Sequence, residues 1–349
     1  MVDPPMYRVV VLGAAKHDYM PLAMAQHSRF EIVVVADDAD APAWAHERGE
    51  ALAQKLGVPY VRDVLQAIRG FGATVACVTP EVRRHSVMSA RAADAGLHVW
   101  QDKPMATTVE DCDRVVKAVE RSGVRFLLYS RNSTDSLRQA RKLLDGTSIG
   151  DLRAVHVDFF FAKDAGVLKG SGQPEVVPDS WMADGELAVE GIYPLAYVRA
   201  LAQANVRQVY ARTTAHFFQR YVDLGIEDLG TLSLELDGGV LATVCVGRIG
   251  RPSHPNLGEI RIHVVGTDGA LVMAEPRPEI AVHTRTQTSD DRRSRPIGSD
   301  SNWRMLEEFA HAIDTDGPTA LEAAAGRNIC ATVIAARESA QRASPVPVS

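Results

Sequence analysis

The chain has 349 residues, of which 46% are hydrophobic and 23% charged, with a formal net charge of −6. That length predicts two domains, and that balance predicts a soluble globular protein with a sizeable core in each. The modest charge, without long runs of one sign, argues against a nucleic-acid partner or a polybasic membrane anchor.

No apolar stretch reaches the length of about 18 residues that reads as a transmembrane helix. The N-terminus runs straight into a strand-like segment and lacks the basic start and apolar middle of a signal peptide, so a cytoplasmic protein is expected. Cys77, Cys112, Cys245 and Cys330 are scattered and form no CxxC pair. A disulfide framework and a structural zinc site are not expected, and a reducing compartment fits.

The first part of the chain alternates strand and helix. Residues 7–12 form a short apolar run ending at Gly13, residues 22–26 are helical, and residues 31–36 form a β-branched run ending at Asp37. Asp40 is placed to cap the next helix, with Pro42 near its first turn and Gly57 at its end. Residues 74–78 make another buried strand, closed by Thr79-Pro80. A helical stretch at 90–95 stops at Gly96, and residues 98–101 form the next strand. Thr108 and Asp111 resemble a capping box for a helix ending at Gly123, followed by a strand at 124–130. Continuous β-branched runs alternating with helices indicate a parallel sheet covered on both faces.

After about residue 150 the pattern changes. Residues 152–161 are strand-like and residues 187–201 read as one helix. Strands then follow at 206–214, 229–236, 240–249, 259–265, 270–274 and 280–284. Asp237-Gly238-Gly239 and Thr267-Asp268-Gly269 are hairpin signals at two joints. This predicts an α+β domain built on a large, mostly antiparallel open sheet with a helix on one face. Residues 285–301 read as a polar, mobile loop. Two helical stretches, 302–315 and 322–342, close the chain.

A strand ending in Gly13, a helix, and a strand ending in an acid is the layout of a dinucleotide-binding Rossmann domain. Asp37 stands 24 residues after Gly13 and is followed by Asp38. The glycine fingerprint is altered, because Ala15 takes the place of its second glycine; Lys16 is placed to compensate by charge. A 2′-phosphate beside Asp37 and Asp38 would meet like charge, and no Arg follows closely. NAD(H) is therefore expected over NADP(H).

The segment His98-Val99-Trp100-Gln101-Asp102-Lys103-Pro104 resembles the Glu-Lys-Pro strand end of the Gfo/Idh/MocA family, named for glucose–fructose oxidoreductase and inositol dehydrogenase. Thr79-Pro80 with His85 resembles its TP…H segment. Ser148-Ile149-Gly150-Asp151 resembles its step into the second domain, and Gly266-Thr267-Asp268-Gly269 its late hairpin. The C-terminal helices, with Leu306-Glu307-Glu308-Phe309 and Glu338-Ser339-Ala340, complete an ordered set along nearly the whole chain.

The resemblance implies a Rossmann domain over residues 1–130 and a substrate and oligomerisation domain over 131–301. Residues 302–349 would be helices packing back towards the first domain. It also implies a dimer or tetramer formed through the open sheet face.

Within this frame, Gly13, Ala15, Lys16, Asp37, Thr79, Pro80, His85 and Asp102 are the expected cofactor residues. Lys103 lies at the carboxyl end of a parallel strand, where α/β sheets place ligands, and is the expected group for positioning the substrate or exchanging its hydroxyl proton. The resemblance places an Asp-x-Gly-x-His or Asp-x-Gly-x-Tyr helix next. Here the segment reads Val189-Glu190-Gly191-Ile192-Tyr193, so Tyr193 aligns and Val189 replaces the acid. Glu186, Glu190, Tyr193 and Tyr197 share one helical stripe, and Glu190 with Tyr193 is expected to replace the missing pair. Arg131, Trp181 and Asp184 are candidate substrate contacts. No metal set emerges, since His156 and Asp158 lack a third ligand at a helpful spacing.

The expected activity is hydride transfer between nicotinamide and a polyol, sugar or sugar-like alcohol or ketone. The alternatives are an NAD-assisted lyase or glycosidase, and a ligand-sensing protein that has kept the fold and lost the acid.

Overall fold

A computed structural model of the chain describes residues 5–15, 17–130, 134–146, 149–161, 185–248, 258–275, 279–284, 290–293 and 301–349. The chain divides into two compact units, Met1–Ser133 with Ser299–Cys330, and Thr134–Gly298 with Ala331–Ser349.

The first unit alternates strand and helix: β1 (Tyr7–Leu12), α1 (Tyr19–Gln26), β2 (Phe30–Ala36), α2 (Ala43–Leu56), β3 (Tyr60–Val61), α3 (Val64–Gly70), β4 (Val75–Val78), α4 (Val82–Asp94), β5 (His98–Gln101), α5 (Val109–Ser122) and β6 (Phe126–Leu128). The strands are parallel in the order β3-β2-β1-β4-β5-β6, that of a doubly wound dinucleotide fold. Every residue of β4 and β6 is buried, as expected of strands covered on both faces.

The Thr108 hydroxyl accepts the Asp111 N–H at 3.1 Å, so the expected cap starts α5. A later helix, α10 (Ser301–Thr315), joins this unit, where Phe309 stacks on Phe30 and Trp303 lies against His27.

Two helices differ from the sequence expectation. The N-cap of α2 is Pro42 rather than Asp40. Helix α4 begins at Val82, well before residue 90, because its first turns bury polar residues, His85, Ser86 and Ser89, which weaken the apolar signal.

The second unit holds α6 (Asp135–Asp145), β7 (Leu152–Phe161), α7 (Gly185–Glu190), α8 (Ile192–Ala202), β8 (Val206–Thr214), α9 (Gln219–Leu224), β9 (Leu229–Leu236), β10 (Leu241–Arg248), β11 (Gly258–Gly266), β12 (Gly269–Glu275), β13 (Glu279–Thr284), β14 (Asp290–Arg293) and β15 (Val346–Pro347). Helix α11 (Ala323–Arg342) starts in the first unit and ends in the second.

The nine described strands form one sheet, ordered β14-β13-β12-β11-β7-β10-β9-β8-β15. Only the β7–β10 pair among them is parallel. Val155, Val157 and Phe159 of β7 are buried, while His156 and Asp158 between them are exposed, the alternation of a sheet covered on one face. Helices α7 and α8 lie on the buried face, against β10 and β7.

Three expectations change here. The polar segment read as a loop contains β14, which pairs antiparallel with β13. The C-terminal segment does not belong wholly to the first unit: Ala331–Ser349 joins the second, where Val346 pairs with Val209. The single helix expected at 187–201 is two, meeting at Gly191. A Cβ there would lie 2.3 Å from the Leu187 carbonyl oxygen, so the backbone closes to a separation that only glycine accommodates.

Candidate active site

The expected cofactor residues of the first unit gather along one sheet edge. Gly13, Asp37, Thr79 and Asp102 each stand one residue past the carboxyl end of β1, β2, β4 or β5. This is the edge at which open α/β sheets hold ligands.

Gly13 adopts φ +74°, and a Cβ on it would lie 2.6 Å from Pro80. A side chain is thus excluded both by the left-handed backbone and by the proline packed on it. The turn is closed by the Ala15 N–H donating to the Thr79 carbonyl at 2.8 Å and the Thr79 hydroxyl donating to the Gly13 carbonyl at 2.7 Å. Thr79 and Pro80 therefore shape the loop that precedes α1. Arg48 of α2, which no sequence motif marked, donates to the Ala14 carbonyl at 3.2 Å. Lys16 lies outside the described residues.

Asp102 and Lys103 are both buried, at 3% and 4% exposure. One carboxylate oxygen of Asp102 accepts the Lys103 N–H at 2.7 Å, and the other lies 2.6 Å from Nδ1 of His17. Burial alone would raise the Asp102 carboxyl; the His17 partnership and the Lys103 charge outweigh it and hold the group below its usual range. Asp102 thus orders the lysine turn from within the protein.

His85, expected at the cofactor, acts on the same turn. It is 1% exposed, and its ring nitrogens lie 2.7 Å from the Pro104 carbonyl and 3.1 Å from the Pro80 carbonyl. It ties the loop after β4 to the turn after β5. Gln101 adds a third tie. Its side-chain amide donates to the Asp102 carbonyl at 3.1 Å and the Met105 carbonyl at 2.8 Å, and its oxygen accepts from Ser89. Fully paired buried networks of this kind rigidify what they hold.

Asp37 is not the open carboxylate that the sequence suggested. It is 1% exposed, and the Arg84 guanidinium of α4 donates to both its oxygens, to Oδ2 at 3.2 Å. Asp38 is held by Arg91 at 2.8 and 2.9 Å. No arginine follows these acids closely in sequence, yet the fold brings two to them. Both arginines come from α4, which packs against β4 and β5, and their side chains reach the acids at the end of β2.

The second unit carries Glu190 and Tyr193. The expected stripe forms, but it faces the sheet. The carboxylate of Glu186 accepts from Nε of Arg248 at 3.1 Å, and that of Glu190 accepts from Nη2 of the same guanidinium at 3.2 Å. Glu186 also accepts from the Tyr221 hydroxyl at 3.1 Å. Burial would lower the Arg248 guanidinium, but the two carboxylates outweigh it and keep it charged; burial and Glu186 together push the Tyr221 phenol up. Tyr193 stacks on Phe159 of β7 with ring centroids 5.7 Å apart. Glu190 thus shares the Arg248 guanidinium of β10 with Glu186. Removing either partner would leave a charge buried.

Arg131, Trp181 and Asp184 lie outside the described residues, as does the 162–180 segment. Among the described residues, no group of three His, Cys, Asp or Glu side chains gathers as a metal site, and no helix is long and apolar enough to cross a membrane.

The first unit fits a dinucleotide. Its strand order, the Gly13 turn sealed by Pro80, and the acid at the end of β2 are the parts such a group requires.

Comparison with known proteins agrees. Residues 7–130 match the model of an oxidoreductase family with an NAD-binding Rossmann fold, and residues 137–272 match the GFO/IDH/MocA C-terminal domain. A D-xylose 1-dehydrogenase [NADP(+)] of Haloarcula marismortui is 29% identical over 64% of this chain and 61% of its own. Inositol 2-dehydrogenase 2 of Saccharopolyspora erythraea is 25% identical over 66% of this chain and 61% of its own. The chain thus spans about six-tenths of the length of each. An oxidoreductase from Agrobacterium radiobacter, solved with NAD+, L-tartaric acid and magnesium, shares the fold with a TM-score of 0.80 over 98% of both chains, at 18% identity.

Proposed function

This chain belongs to the Gfo/Idh/MocA oxidoreductase family, and from that we propose how its residues divide the work of oxidising or reducing a sugar-like substrate. It is an NAD(P)-dependent oxidoreductase acting on a CH–OH group, and its relatives point to sugars and polyols. The observation that carries the reading is the alignment of Gly13, Asp37, Thr79 and Asp102 one residue past four parallel strands, with Lys103 buried beside Asp102.

The nicotinamide ring, when bound, supplies the hydride acceptor or donor. The Gly13–Ala15 turn approaches the pyrophosphate closely, with Arg48 beside it as a cation; Lys16, next in sequence to Ala15, is proposed as a second. Asp37 accepts the adenosine ribose hydroxyls, which favours NAD(H) over NADP(H). Lys103 orients the substrate hydroxyl and exchanges its proton at Nζ, and Tyr193 is the second proton-handling group. Asp102, His85 and Gln101 act through Lys103 by fixing its turn. Arg131, Trp181 and Asp184 are proposed to meet substrate oxygens and the apolar face of a sugar ring. The open sheet face is proposed to form a dimer or tetramer, and four free thiols suit a cytoplasmic setting.

The test is titration of purified protein with nicotinamide dinucleotides, followed by a polyol and sugar screen read by reduced-nicotinamide absorbance. Binding with turnover on a polyol or sugar is expected. Net turnover without added cofactor would favour the lyase or glycosidase chemistry instead. Binding without turnover on any polyol or sugar would favour a sensor.

A further inference from the structure

Helix α4 carries Arg84 and Arg91 two turns apart, and so on one face. That face meets the two acids at the end of β2. Arg84 forks onto both oxygens of Asp37, and Arg91 pairs with Asp38 at 2.8 Å. Arg84 is also shared: Nε and Nη2 donate to the two oxygens of Glu81, the latter at 2.7 Å. Oδ1 of Asp37 additionally accepts the Asp38 N–H at 2.8 Å.

This arrangement changes what the end of β2 offers a nucleotide. Asp37 and Asp38 alone are two negative charges, which repel a 2′-phosphate. The cluster holds three carboxylates (Asp37, Asp38, Glu81) and two guanidiniums (Arg84, Arg91), so its formal charge is −3 + 2 = −1. The arginine side chains keep some exposure, 21% for Arg84 and 39% for Arg91, while the Asp37 side chain has 2%. A ribose diol reaches the Asp37 oxygens only as Arg84 gives up part of its fork. Glu81, one helical turn before it, would still hold the guanidinium near the Asp37 carboxylate when that happens. A 2′-phosphate would find the same guanidinium already in place, and Arg–phosphate forks are among the stronger charge-assisted pairs.

We infer that Arg84, supported by Arg91, is the cofactor-discriminating residue, and that it admits NADP(H) alongside the NAD(H) that Asp37 selects. The inference rests on the reading of this edge as a dinucleotide site. Asp37 tips the preference towards the free ribose, and Arg84 keeps that preference narrow.

The experiment is direct fluorescence titration of NADH and NADPH into wild type, Arg84→Gln, Arg84→Lys and Arg91→Gln, with thermal melts as the folding control. Wild type is expected to bind both with dissociation constants within about tenfold of each other. Arg84→Gln is expected to weaken NADPH by about tenfold or more while leaving NADH within about threefold, the loss of one charge-assisted fork. Arg91→Gln is expected to shift the ratio the same way by less.

If Arg84→Gln fails to fold, Arg84→Lys carries the test, because an ammonium keeps the charge but cannot fork and should still lose NADPH selectively. Equal losses for both cofactors, or an unchanged ratio in a folded Arg84 variant, overturn the assignment of Arg84 while leaving the dinucleotide site standing. Binding of neither cofactor by wild type overturns the site reading itself.

Discussion

Nδ1 of His17 lies 2.6 Å from Oδ2 of Asp102, which joins the loop after β1 to the lysine turn after β5. The two residues are 85 positions apart. Through this pair, the loop expected to receive pyrophosphate and the turn expected to present Lys103 form one hydrogen-bonded unit.

Asp102→Asn tests that unit by pH. The folded Asp102 carboxyl lies below its ordinary value of 3.8, since His17 and Lys103 outweigh the burial that would raise it. A carboxyl lowered on folding contributes stability above its unfolded pKa and loses it as the pH falls through the folded value. The variant is therefore expected to lose about 1–3 kcal/mol at pH 7. The gap to wild type should begin to close as the pH falls below the ordinary value of 3.8 and go on closing through the lower folded value. Urea midpoints measured from pH 7 to pH 3 check this. A gap independent of pH would show that the ionised pair contributes nothing.

Lys103→Ala is expected to leave NADH affinity within about threefold and to lower turnover by about 10²–10⁴-fold, the usual contribution of a general acid–base group. Single-turnover absorbance on an active sugar or polyol is the measurement. Turnover close to that of wild type would remove Lys103 from the chemistry.

Gly13→Ala places a Cβ on a left-handed backbone and 2.6 Å from Pro80. We expect a loss of about 1–3 kcal/mol in stability from strain. Dinucleotide affinity should fall with it, by about tenfold or more, because the turn must shift. Calorimetric titration and a melting curve on the same preparation separate the two effects. An alanine variant that binds like wild type would mean that the turn does not approach the cofactor.

Glu190→Gln and Tyr193→Phe distinguish a sheet-anchoring acid from a proton-handling phenol. Weakening the Glu190–Arg248 ion pair is expected to lower stability by about 1–3 kcal/mol, less than for an isolated buried pair because Glu186 still holds the guanidinium. Turnover per folded molecule should stay within a few-fold. Tyr193→Phe should do the reverse, keeping the Phe159 stack and stability but lowering turnover. The opposite pattern, with turnover lost on Glu190→Gln alone, would assign Glu190 as the replacement acid.

Several strands of both units were legible residue by residue. β1, β5, β7, β8 and β9 occupy the segments that their apolar and alternating patterns mark, and α5 starts at the Thr108 cap. These signals are local: a pleat, a helical repeat or a cap involves residues within a few positions of each other. Other elements escaped: β3, α3, α6, α9, β14 and β15.

The sequence by itself therefore determined a Rossmann unit with strand ends at Gly13, Asp37, Thr79 and Asp102, an open-sheet unit, and Lys103 as the candidate group. Tertiary structure alone decided the partners. Asp37 meets Arg84 across 47 residues, Asp102 meets His17 across 85, and Glu190 meets Arg248 across 58. Each of these acids reads in sequence as an available carboxylate. Each is buried, and burial of a charge demands a counter-charge that the chain supplies from whichever element folds against it. No periodicity encodes that choice, because it depends on which helix face and which strand end the fold brings together.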